Sequence, residues 1–108
     1  RNRVNRRNVM AFDAPVMGFV FVHKDMLPWS AMDAGLMLQT LFLSAKSRGI
    51  DSCPVGILAT WREPVEAEFE IPEGYQFITG FALGYADPEA PINAMQAPRP
   101  PIQLLEGK

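Results

Sequence analysis

Cysteine and histidine each occur once in the 108 residues. One cysteine excludes an intrachain disulfide and a zinc site built from paired thiolates, and it fits a reducing, cytoplasmic setting. One histidine, His23, leaves no second imidazole for a metal pair, and acidic residues do not cluster at ligand spacing, so no metal is expected. No apolar run approaches the roughly 20 residues of a membrane span. The first residues, RNRVNRRN, lack the apolar core of a signal peptide. The net charge of −2 exerts no global pull toward nucleic acid or a membrane surface. Arg1, Arg3, Arg6 and Arg7 do cluster. No aromatic residue is interleaved with them, so they read as a solvated helix end or a fragment boundary rather than a nucleic-acid contact. The sequence has no Ser-His-Asp order, no P-loop and no G-x-G-x-x-G. Cys53 is the one intrinsic nucleophile, but it precedes a proline and has no local base, which fits a small, half-buried filler. His23, at a strand end, reads as a surface or hydrogen-bonded residue. No catalytic side chain is assigned.

Apolar residues make up 48% of the chain and charged residues 20%, which favours a folded domain over disorder. The stretch Ser30 to Leu58 organises it. Ser30 reads as an N-cap with Asp33 three residues on, like a short-armed capping box. Met32, Leu36, Met37, Leu38, Leu41, Phe42, Leu43 and Ala45 follow. A surface helix shows one apolar stripe; this helix is apolar almost all round and is expected to be buried on several sides. Lys46 and Arg48 suit its last turn, and Gly49 is the expected left-handed stop. Ile50 to Gly56 is then a short extended run ending in a Pro-x-Gly turn. Thr60-Trp61-Arg62-Glu63, with Pro64 behind it, predicts a capped short helix to about Phe69, with Trp61 and Phe69 over the core. Glu63, Glu66, Glu68 and Glu70 read as its solvated face.

Two runs read as core strands: Val16 to Val22, continuous and β-rich, and Tyr75 to Tyr85, whose glycines permit a bulge or close backbone approach. The tail from Glu89 to Lys108 holds four of the ten prolines. It is expected to run extended over a neighbour, anchored by Ile92, Met95, Ile102, Leu104 and Leu105. The chain begins with Arg1 rather than Met, and its central helix is too apolar for the partners available. A second copy, an N-terminal half absent from residues 1–108, or both should cover that helix.

The helix pattern D-x-G-x-x-x-Q-x-L-x-L-x-A, carried by Asp33, Gly35, Gln39, Leu41, Leu43 and Ala45 and closed by Arg48 to Pro54, resembles the FMN-dependent nitroreductase family. Ala14-Pro15-Val16 before the first strand and Gly84-Tyr85 closing the second agree with it. The resemblance covers roughly residues 8–102 and matches only the C-terminal half of the family's domain. It implies an α+β, nitroreductase-like partial domain with two core strands, a long central buried helix, a short helix and an extended Pro-rich tail. It also implies an intertwined homodimer, and FMN-dependent transfer of hydride from NAD(P)H to a nitroaromatic, a quinone or a similar acceptor by ping-pong kinetics.

By the same resemblance Pro54, Val55, Gly56 and Ile57 line the flavin ring, with the amide of Gly56 or Ile57 near N5. Arg99 meets the phosphate. Met26, Leu27 and Trp29 are either substrate-pocket walls or ordinary packing against the helix start. Two departures stand out. Gln96 and Ala97 lie where the family usually has another basic residue. Residues 1–8 contain no match to the family's N-terminal R-x-S-x-R. The rival expectation is a cofactor-less protein or fragment that keeps the fold for a structural or binding role.

Overall fold

A computed structural model describes residues 2–104 and 107. Arg1 and Leu105, both named above, lie outside them. In chain order the regular elements are α1 (Asn2–Val9), β1 (Val16–His23), α2 (Trp29–Lys46), β2 (Asp51–Val55), α3 (Arg62–Glu68) and β3 (Tyr75–Gly84). Short 3₁₀ turns lie at Ala11–Asp13, Lys24–Met26, Gly56–Ala59 and Pro91–Ala94. The architecture is α+β: an antiparallel sheet in the order β1-β3-β2, with helices packed on it.

The two strands expected from sequence are neighbours, and the extended run before the Pro-x-Gly turn adds a third. Val16 pairs with Leu83 and His23 with Tyr75, while Asp51 pairs with Gly84 and Val55 with Gly80. β2 lies at an edge, where Pro54 can join a ladder without breaking an inner hydrogen-bond row.

Alternating residues of β1 serve two cores. Met17, Phe19 and Phe21 pack on a cluster of Ala11, Val55, Leu58, Val65, Phe77 and Ala82. Val20 and Val22 pack on the other face with Ala34 of α2, beside Leu27, Leu38, Ile78 and Phe81. This is the two-faced burial expected of a continuous apolar strand. On β3 the simple alternation fails. Val20 faces Thr79 but Phe21 faces Phe77, so Ile78 is an extra, bulged residue. The bulge puts Phe77 and Ala82, an odd number of residues apart, into one core.

Helix α2 ends as Gly49 predicts. Gly49 has φ 77°, its N–H donates to the Lys46 carbonyl, and the Ile50 N–H donates to the Ala45 carbonyl, both at 3.0 Å. This pair is a Schellman stop. The start differs from expectation: Pro28, not Ser30, is the N-cap. The helix opens earlier, with the Pro28 carbonyl accepting from the Ala31 N–H at 3.1 Å. Ser30 therefore falls in the first turn, its Oγ enclosed with no hydrogen-bond partner. The short helix α3 likewise starts from Trp61, without a side-chain cap. Thr60 instead ends the preceding 3₁₀ turn with helical φ −79° and ψ −28°, not the extended backbone of an N-cap.

The expected burial of the long helix on several sides is not met within this chain. Only Ala34 and Ala45 of α2 are buried, whereas Trp29, Met32, Leu36, Met37 and Leu43 are exposed, Trp29 by 69%. A three-stranded sheet covers one side of a helix and leaves the rest open. The tail anchors Ile92, Met95, Ile102 and Leu104 are exposed too. Beyond the 3₁₀ turn at Pro91–Ala94, the described tail has no regular structure. Phe69 lies over the core as expected, its ring 5.2 Å from that of Phe19 and 6.3 Å from that of Phe21, and with Trp61 it lines an open apolar groove beside Val9, Met17, Leu58 and Val65.

One polar clamp ties three segments. Asp51 accepts from Lys46 Nζ at 2.6 Å and from the Ala86 N–H at 2.9 Å, joining the end of α2, the start of β2 and the chain beyond β3. The hydrogen bond from Lys46, then that from Ala86, holds the Asp51 carboxyl below its ordinary 3.8. A group whose folded pKa is depressed adds stability above its unfolded pKa and loses it as pH falls through the folded one. D51N is therefore expected to lower the thermal midpoint at pH 7. The gap from the parent chain should close as pH drops below 3.8, and a gap independent of pH between 7 and 2 would refute the clamp.

Candidate functional site

β1 and β2 both run antiparallel to β3, so they point the same way. The turn after β2 and the segment after β1 consequently leave in the same direction on either side of β3, but staggered: β2 stops opposite Gly80, midway along β3, and β1 runs on to Tyr75. The first carries Gly56 and Ile57; the second carries Met26, Leu27 and Trp29. Met26 and Trp29 are exposed, whereas Leu27 packs into the core between β1 and α2. Leu27 thus follows the packing alternative, and the other two remain free to form a wall.

Within the turn the four candidate residues divide by what they present. Pro54 and Gly56 are exposed and Ile57 is half-buried. Val55 is fully buried, 0% exposed, in the core with Leu58 and Phe77. Its side chain cannot touch a ligand, so only its backbone is available. Gly56 opens the 3₁₀ turn Gly56–Ala59. The first N–H groups of such a turn have no partner inside it. The backbone at Gly56 is not left-handed, and an added Cβ would meet nothing within 4 Å. Neither conformation nor packing in this chain requires glycine there. The missing side chain leaves the backbone there open to close approach.

Arg99 is exposed in the tail, and its guanidinium donates to the Ala97 carbonyl at 3.3 Å. The structure does not join it to the turn through that contact. Cys53 is half-buried against the core, its Sγ 3.7 Å from the Pro54 carbonyl. Burial pushes its thiol pKa up. A thiol kept protonated is a poor nucleophile, in keeping with a filler role. His23 accepts from the Asp25 N–H at 3.4 Å through Nδ1 and meets the Tyr75 ring edge-on at 5.3 Å. It is a hydrogen-bonded strand end. No group of three or more His, Cys, Asp or Glu among the described residues could hold a metal. No helix among them is long and apolar enough to cross a membrane.

Known proteins share this fold. The profile of the nitroreductase family matches residues 1–85, and the chain belongs to that family. A 4-nitrobenzoate reductase of Pseudomonas putida is 36% identical over 100 residues, covering 92% of this chain and 44% of that protein. A chloronitrobenzene nitroreductase of Comamonas testosteroni is 34% identical over 107 residues, covering 98% of this chain and 46% of its own length. Among solved structures, the FMN and NADPH-dependent nitroreductase NfnB from Sphigopyxis sp. strain HMH superimposes with a TM-score of 0.87 at 31% identity. It covers 99% of this chain and 50% of that one. The FMN-dependent NfnB from Mycobacterium smegmatis, in complex with NADPH, gives 0.83 at 31% identity, over 90% and 43% respectively. The fold is a nitroreductase fold in part: the chain spans less than half the length of these curated relatives.

Proposed function

We propose that residues 1–108 act as one nitroreductase-like unit corresponding to part of its relatives' length. The unit contributes to an FMN-dependent NAD(P)H oxidoreductase acting on nitroaromatics, quinones or similar acceptors. The observation that carries this is Gly56: an exposed residue whose Cβ position meets nothing within 4 Å, at the head of a 3₁₀ turn whose first amides have no partner inside the turn, beside an exposed Pro54. A planar ring needs that open backbone. Ile57 and the main chain of Val55 complete the cradle, and Met26 and Trp29, on the segment that leaves the sheet in the same direction, offer apolar cover. Arg99 is the residue proposed for the phosphate, after exchanging the Ala97 carbonyl for a charged acceptor.

When bound, FMN supplies the two-electron chemistry that no side chain here offers. The chain's own part is to hold the ring edge on fixed backbone donors and keep an apolar face beside it. NAD(P)H and the acceptor would use the same open side in turn, which gives ping-pong kinetics. A homodimer belongs to the same reading, supported by the uncovered apolar surface of α2 and the exposed tail anchors. So does a cytoplasmic setting, with which the single cysteine agrees.

The test is an absorbance spectrum of the purified chain after FMN addition and gel filtration, read with its mass in solution. A flavin band that stays with a dimer is the expected result. A folded dimer that sheds all its FMN would replace this reading with the cofactor-less one.

A further inference from the structure

We infer that Gly80 is a positioning residue for the Gly56–Ile57 amides, acting through Leu58; this rests on the flavin reading of the turn. Gly80 meets the turn twice. It is the ladder partner of Val55, the last residue before the turn. It is also the floor under Leu58, the third residue of the turn. A Cβ built on Gly80 would lie 2.7 Å from Leu58 Cδ1, while its next neighbours, the Gly18 carbonyl and Phe19 Cδ1, stand at 3.4 and 3.6 Å. Leu58 therefore sits in a notch that only a glycine leaves open.

Leu58 borders the apolar groove, with Val65 and Phe69, and can yield in that direction. It is 6% exposed and shares its core with Val55, Val65, Phe77 and Ala82. The far side of the turn is pinned by the Thr60 and Trp61 N–H groups donating to the Ile57 and Leu58 carbonyls at 3.0 and 3.1 Å. A methyl group at residue 80 must raise Leu58, and the N–H groups of Gly56 and Ile57, at the head of the turn, take no part in those two bonds. A close-packed interior passes such a displacement on instead of absorbing it. The depth of the Gly80 notch thus sets the height of the two amides above the sheet.

Size compensation tests this. FMN binding is measured by flavin fluorescence for the parent chain, G80A, L58V and G80A/L58V. Backbone amide shifts of Gly56 and Ile57 are read by NMR without flavin. G80A should weaken FMN about tenfold and move both amide signals, since misplacing ligand-facing groups by a fraction of an ångström is costly. L58V alone, leaving the notch underfilled, should weaken it about threefold. The double variant should return to within about threefold of the parent, because the two errors offset each other. Parent-like amide shifts and FMN affinity in G80A, or no recovery in the double variant, overturn the inference. Should G80A not fold, L58A must move the same two signals by emptying the notch, and unmoved signals count against it. Should the parent chain bind no FMN, the flavin reading fails, and the amide shifts alone decide whether Gly80 positions the turn.

Discussion

F77A is expected to cost the chain about 3–5 kcal/mol, the usual range for removing a buried aromatic ring. Phe77 is 2% exposed and lies at the junction of both strand partners and the turn. Its ring centroid is 5.6 Å from that of Phe21 and 6.1 Å from that of Phe19, and both of those rings also meet Phe69. Truncation leaves a void bounded by sheet backbone and rigid rings, which cannot close in. A small domain is stable by only about 5–15 kcal/mol, so F77A should unfold much of the population near body temperature. F77L, which refills most of the volume, should cost less. Urea unfolding with a common slope reads the difference. A midpoint for F77A within about 1 kcal/mol of the parent would mean that this aromatic cluster is not the core.

The same residue shows how far the sequence could be read. The run Tyr75 to Tyr85 is apolar and β-rich enough to declare a strand, and its glycines announce an irregularity. Which residue bulges is decided by the partner strand, because a two-residue period cannot reveal where an extra residue has been inserted. An unbroken two-residue period would place Phe77 and Ala82 on opposite faces. The Schellman stop at Gly49 was legible because one backbone conformation and one residue type determine it. The caps at Ser30 and Thr60 were not, because cap preference is a local energy of about 1 kcal/mol that neighbouring turns overrode. The run Asp51 to Val55 is too short and too interrupted by Pro54 to mark as a strand alone, and pairing with β3 makes it one.

The candidate site was legible for a different reason. The order of short motifs located the turn at Pro54 to Ile57, but four consecutive letters do not say which side chains point outward. Burial separates them: Val55 faces the core, and Pro54 and Gly56 face out. Arg99 illustrates the opposite case. A basic residue in a Pro-rich tail can be spotted in a sequence, but its partner depends on where the tail runs, and in this chain its contact is with Ala97. The apolar surface of α2 lies between these extremes. Its composition foretold that more covering was needed than 108 residues provide, and the exposed Met32, Leu36 and Leu43 are that unmet need.

G56V should separate binding from folding. A Cβ at residue 56 meets nothing within 4 Å in this chain, and the backbone there is not left-handed, so stability should stay within about 0.5 kcal/mol of the parent. The two branched methyls would instead occupy the space through which a flavin ring must approach the Gly56 and Ile57 amides. Loss of a backbone hydrogen bond to the ring edge, together with the displacement of the ring, is expected to weaken FMN about 100-fold, or about 2.7 kcal/mol. G56A, with one methyl, should fall between. The measurement is FMN fluorescence quenching beside a thermal melt on the same samples. A melt that collapses with binding would show that Gly56 serves packing that this chain shares with a partner. Binding within about threefold of the parent, with an unchanged melt, would move the ring away from the turn altogether. That result would leave the open backbone at Gly56 without a reason, because conformation and packing within the chain already supply none.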